Sequence, residues 1–77
     1  MSNFQKWITQ KLGYKPRNID LANLLGETRG EFVRKWMNGQ TYPDKKNCVR
    51  LAKVLKLPEY EVQKDILQVR MDDLDEI

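Results

Sequence analysis

Apolar residues recur along this chain at intervals of three and four, broken by glycine and proline, and nowhere alternate with polar residues over a useful length. Such spacing lays apolar side chains along one face of an α-helix, whereas a half-buried strand would alternate with period two. Five segments show it: Phe4, Trp7, Ile8 and Leu12; Leu21, Ala22, Leu24 and Leu25; Phe32, Val33 and Trp36; Cys48, Leu51, Ala52 and Leu55; and Val62, Ile66 and Val69. The pattern predicts an all-α fold, a compact bundle of about five short helices with brief connections. Trp7, Trp36 and Cys48 sit on these stripes and are expected in the core.

Punctuation between the stripes sets the helix ends. Ser2 and Gln5 have capping-box spacing for the first helix, and Gly13 with Pro16 closes it. Asn18 is the best capping residue for the second helix, with Asp20 in the first turn, where the helix dipole favours a carboxylate. Gly26 ends that helix, because glycine takes up left-handed backbone angles at little cost. Thr28 and Glu31 then form a second capping box, which starts the third helix near Arg29. Residues 19 to 38 thus outline two short helices joined by a glycine turn. Beyond Gly39, the stretch from Gln40 to Pro43 reads as a loop, Asp44 caps a fourth helix, and Pro58 suits the first position of a fifth.

Composition narrows the function. Seventy-seven residues make one small domain, expected over 1–70, with an acidic C-terminal segment over 71–77 and little room to enclose a deep substrate pocket. With no histidine and a single cysteine, no internal disulfide, structural metal or cofactor site is expected. No catalytic constellation can be assembled, so the chain is not expected to be an enzyme. No apolar run approaches a membrane span or a signal-peptide core, so a soluble, intracellular protein with no membrane partner is expected. The net charge of +3 is unevenly divided: residues 1–57 hold twelve Lys and Arg against four Asp and Glu, net +8, and residues 58–77 hold two against seven, net −5. A strongly basic body is the electrostatic footprint of a phosphate-binding surface.

These features together resemble the lambda-repressor-like (Cro/XRE-type) helix-turn-helix DNA-binding domain. The motif L-A-x-x-L-G stands at Leu21 to Gly26, a basic helix ends in Asn38 and Gly39, and a loop proline follows at Pro43. L-A-x-x-L recurs at Leu51, Ala52 and Leu55, with Ala52 nine residues after Pro43, and Val62 takes the apolar position in helix five. The resemblance covers about forty residues, and several spacings agree at once. One departure matters: Gly26 to Gly39 is one residue longer than the family's usual spacing. If the extra residue lies in the turn, Val33 takes the first buried position of helix three and Lys35 points where a base reader sits; if it lies later, Phe32 is buried first and Arg34 reads. The Thr28 to Glu31 box favours the later position.

The resemblance implies helix three in the major groove and helix two across the phosphate backbone. Arg29 would present its fork to guanine, Gly30 would allow close backbone approach, and Arg34 or Lys35 would be the second reader. Arg17, Asn18, Thr28, Asn38, Gln40, Thr41, Lys45 and Lys46 are the phosphate candidates, which set register without reading sequence. Glu31 is expected to cap its helix and not to read cytosine. The implied protein is a Cro-like transcriptional repressor of phage, mobile-element or bacterial origin, acting in the cytoplasm or nucleoid. It would occupy a roughly palindromic double-stranded operator as a homodimer, at least on DNA. The alternative is an antitoxin-like or other protein-interaction module, using helix five and the acidic segment to hold a partner. The C-terminal MDDLDEI is expected to be a frayed, solvated end; the competing readings extend helix five through Leu74 and Ile77 to a partner, foremost another copy of the same chain, or let the acids repel DNA and bias docking.

Overall fold

The computed structural model describes residues 2–75. It contains five helices, α1 (Asn3–Leu12), α2 (Asn18–Leu24), α3 (Glu31–Met37), α4 (Lys45–Leu55) and α5 (Glu59–Asp75), and no strand among the described residues. The all-α expectation therefore holds. The Cα radius of gyration is 11.4 Å, and the principal helix pairs in contact are α4 with α5, α2 with α3, α1 with α5 and α1 with α3.

The cores of these helices come from the expected stripes. Phe4, Ile8, Leu21, Val33, Leu51 and Val62 are fully buried; removing one such side chain from water contributes about 1.5–3 kcal/mol. Trp7 and Trp36 are buried as expected. Phe4 packs on Trp36 with ring centroids 5.6 Å apart, and Phe32 meets Trp36 edge-on at 5.0 Å. The Phe4–Trp36 contact fastens α3 to α1 and the Phe32–Trp36 contact lies within α3, each adding about 0.5–1.5 kcal/mol to the area term. Leu24 departs from expectation: α2 buries Leu21 and Ala22, followed by Leu25 at its end, and leaves Leu24 exposed.

Three glycines end helices or turns in the left-handed region, Gly13 at φ 82°, Gly26 at 84° and Gly39 at 75°. After α2 the Gly26 N–H donates to Asn23 O and the Glu27 N–H to Ala22 O; after α3 the Gly39 N–H donates to Trp36 O and the Gln40 N–H to Lys35 O. Both are Schellman closures, in which glycine lets two otherwise orphaned carbonyls find donors. At the end of α4 a lysine does this job: Lys56 sits at φ 57° while the Leu57 N–H reaches back to Ala52 O.

Starts are mixed. Ser2 Oγ accepts from the Gln5 N–H at 3.1 Å, and an Asp44 carboxylate oxygen accepts from the Asn47 N–H at 2.9 Å, as the spacing predicts. The cap of α2 is Arg17, one residue before the expected Asn18, and Asp20 accepts from the Arg17 backbone N–H. The Thr28 to Glu31 box does not form: α3 begins at Glu31 behind Gly30, and no side chain caps it. Val33 is fully buried and Phe32 only partly, so Val33 takes the first buried position of α3. This corrects the later position that the capping box favoured.

The C-terminal end is also corrected. Instead of fraying, Met71 to Asp75 continue α5, and Asp73 accepts hydrogen bonds from Asn3 Nδ2 at 2.7 Å and from the Tyr42 hydroxyl. One carboxylate thus joins the start of α1, the loop after α3 and the end of α5. Arg70 lies over the Tyr42 ring at 5.4 Å. Ile77, the other residue expected on an extended helix five, lies outside the described residues. Cys48 is buried, its thiol 3.7 Å from Pro43 O, and burial followed by the charge of Asp44 pushes the thiol's pKa up.

Candidate nucleic-acid interface

The expected site residues fall into groups. At the joint between α2 and α3, Gly30 approaches the α2 backbone so closely that an added Cβ would lie 3.3 Å from Asn18 C and from Ile19 N. The room a side chain would need at 30 is filled by the protein's own helix. The close approach that Gly30 makes within the fold is to the α2 backbone.

At the other end of α3, the loop folds back on its last turn, with the Gln40 and Thr41 N–H groups both directed at Lys35 O at 2.9 and 3.4 Å. Asn38, Gln40 and Thr41 are exposed there, as is Thr28 in the α2–α3 connection. The two lysines at the start of α4 separate. Lys46 borders a shallow groove of about 390 Å³ together with Phe32 and Trp36 of α3, whereas Lys45 borders a different groove, between α4 and α5, with Lys64 and Leu67. Only Lys46 adjoins the α3 side.

Electrostatics sorts the cations further. Arg17 donates through Nε and a terminal nitrogen to Asp20 at 2.9 and 3.1 Å, and Arg34 donates to Glu31 at 2.7 Å. These hydrogen bonds, first among the causes, hold the Asp20 and Glu31 carboxyls below their ordinary values. Glu31 therefore acts as Arg34's ion-pair partner in the first turn of α3. Arg29 and Lys35 are both exposed, and among the described residues neither has an acidic partner within salt-bridge distance.

Sequence reasoning missed the supports of this surface. Arg50 of α4 donates to Glu27 at 2.9 Å, tying the connection before α3 to α4. Asp73 and Tyr42 tie down the loop after α3. Neither pair carries a local sequence signal, since the partners lie 23 and 31 residues apart.

Among the described residues no group of three or more His, Cys, Asp or Glu side chains converges to hold a metal ion, and no helix is long and apolar enough to cross a membrane. The fold defines a small all-α domain with a basic helix on its surface. No protein-family model, curated protein or solved structure matches the chain.

Proposed function

We propose that the chain binds double-stranded DNA sequence-specifically through α3 and acts as a Cro-like transcriptional repressor by occupying an operator. The observation that carries this reading is the way α3 is held. Val33, Trp36 and Met37 bury its inner face, while Arg29 before it and Lys35 on it are exposed cations with no acidic group within salt-bridge distance among the described residues. A helix so anchored can enter a major groove without rearranging its backbone, so the ordering left to lose is that of its exposed side chains. Arg29 is the leading base reader, suited to guanine O6 and N7, and Lys35 the second, because with Val33 as the first buried residue of α3 the family resemblance assigns Lys35 to that position. Arg34 is the weaker candidate, since reading a base would cost its bond to Glu31. Lys46, Gln40, Thr41, Asn38, Thr28, Asn18 and Arg17 supply the flanking phosphate contacts, in part through backbone N–H groups.

Selection of bound sequences from a random duplex pool near physiological salt, run with wild type and Arg29→Ala in parallel, tests this reading. Under those conditions non-specific phosphate binding is weak. An enriched, roughly palindromic motif that Arg29→Ala relaxes at one position is the expected result. No enrichment at any salt would overturn it in favour of a second reading, a protein-interaction module, whose supporting observation is the exposure of Leu67, Met71 and Leu74 on α5.

A further inference from the structure

α5 carries apolar residues on two sides. Val62, Ile66 and Val69 face the core, whereas Leu67, Met71 and Leu74, at intervals of four and three, are 57, 50 and 68% exposed. Tyr60, seven residues before Leu67, is 75% exposed and extends the row. At about 100° per residue, this row lies nearly opposite the buried one. Scattered exposed apolar residues need no explanation, but a row at helical spacing on a helix whose inner face is already filled is the form of a helix–helix seam.

Charge names the occupant. Lys64, Gln68, Asp72 and Asp75 share one shoulder of the row, with the cation near one end and the acids near the other. In an antiparallel pair related by a two-fold axis, like shoulders face each other and positions equidistant from the axis meet. With the axis near residue 69, Leu67 meets the partner's Met71, the Lys64 stem covers the partner's Leu74, and the Lys64 ammonium meets the partner's Asp75. Apolar and ionic registers coincide in that arrangement over residues 64–75, with Tyr60 outside the overlap. Among the described residues, neither Lys64 nor Asp75 has an ion-pair partner within its own chain. Lys64 also shares the rim of the α4–α5 groove with Lys45 and Arg70, so the partner's acidic end would approach a cationic border. A parallel pair would instead bring Asp72 and Asp75 toward the shoulder of Gln63 and Arg70, where Arg70 is already placed over Tyr42.

We infer that the outer row of α5 is a self-association face, along which two copies pack antiparallel with each Lys64 paired to the partner's Asp75. This names the seam of the dimer that the DNA-binding reading calls for, and rests on that reading for its purpose alone.

Analytical ultracentrifugation of the full chain without DNA, over concentrations reaching the sub-millimolar range, tests it. A monomer–dimer equilibrium is expected, and Leu67→Lys should leave a monomer whose circular dichroism matches wild type and whose melting matches that of wild type diluted to the monomer, because Leu67 is outside the core and dimerisation itself raises Tm. Lys64→Glu and Asp75→Lys should each weaken the dimer by about tenfold, since each reversal acts at two symmetry-related places, and the double exchange should restore it. A chain that stays monomeric throughout, a dimer indifferent to Leu67→Lys, or a double exchange that fails to restore pairing would each overturn the inference. Dimers that select no DNA motif would sink only the DNA-binding reading, and a motif bound by a chain that never dimerises would sink only this one.

Discussion

Replacing Asp73 with alanine should destabilise a protein whose sequence places that residue in a disposable acidic end. The carboxylate accepts from Asn3 Nδ2 at 2.7 Å and from the Tyr42 hydroxyl, and alanine removes both acceptors while leaving the two donors in place. Hydrogen bonds to a charged acceptor contribute about 1.5–3 kcal/mol when shielded from water, and the half-buried setting here reduces that to about 1 kcal/mol each. The loss is then about 2 kcal/mol, which for a domain of under a hundred residues lowers Tm by about 8–16 °C. A second readout tests the same bond. The Tyr42 pKa is pushed up to about 12, by the hydrogen bond to Asp73 first and by burial next. Because the folded protein holds this proton more tightly than the unfolded chain, the stabilisation is complete below the ordinary value of 10.0 and is lost as pH rises through about 12. In Asp73→Ala the Tyr42 phenolate should appear at lower pH, with Tyr42→Phe identifying its share of the ultraviolet difference spectrum. Thermal melts near neutral pH and an alkaline absorbance titration make the measurement. A Tm within about 2 °C of wild type, or an unchanged titration, would refute the reasoning.

Other substitutions probe different parts of the fold. Lys56→Gly should raise stability by about 0.5–1 kcal/mol in urea unfolding, because a side chain at φ 57° carries a left-handed penalty that glycine avoids. Gly30→Val should cost about 1–3 kcal/mol in the same assay, since its Cβ would press on the backbone at Asn18 and Ile19, which cannot rotate aside as a side chain would. On DNA, Lys35→Ala should cost about 1–3 kcal/mol at one base position, measured by fluorescence anisotropy on matched and singly substituted sites. Lys46→Ala should instead weaken all sites alike and reduce the salt slope by about one, with Lys45→Ala, on the far groove, leaving that slope nearly unchanged.

Helix content was legible because it rests on local rules. Apolar spacing placed the stripes, Ser2 and Asp44 capped as their side-chain oxygens allow, and Gly13, Gly26 and Gly39 supplied the left-handed closures. The start of α3 was misread for a physical reason: Thr28 and Glu31 have capping-box spacing, yet the close approach of Gly30 to the α2 backbone accompanies a helix that begins only at Glu31. Leu24 and Leu25 are chemically equal, and only the angle at which α2 meets its neighbours decides which one is buried. Of the candidate site, the cationic character of the α3 surface was readable. Which cations are neutralised was not, since the bonds from Arg17 to Asp20 and Arg34 to Glu31 compete with other rotamers, and the separation of Lys45 from Lys46 follows from the direction of α4. The junction of Asn3, Tyr42 and Asp73 spans 70 residues of sequence and leaves no periodic trace.

Cys48 offers an experimental handle that follows from its setting. A thiol that is buried and held in its protonated form is a poor nucleophile, so reagents that attack thiolates will pass over it while the fold is closed. A cysteine introduced at an exposed position such as Asn38 would take up a dye selectively, with the native thiol left in place. The same property makes Cys48 a clock: when α4 lifts from α5 the sulfur becomes reactive, and its labelling rate under native conditions counts how often that opening occurs.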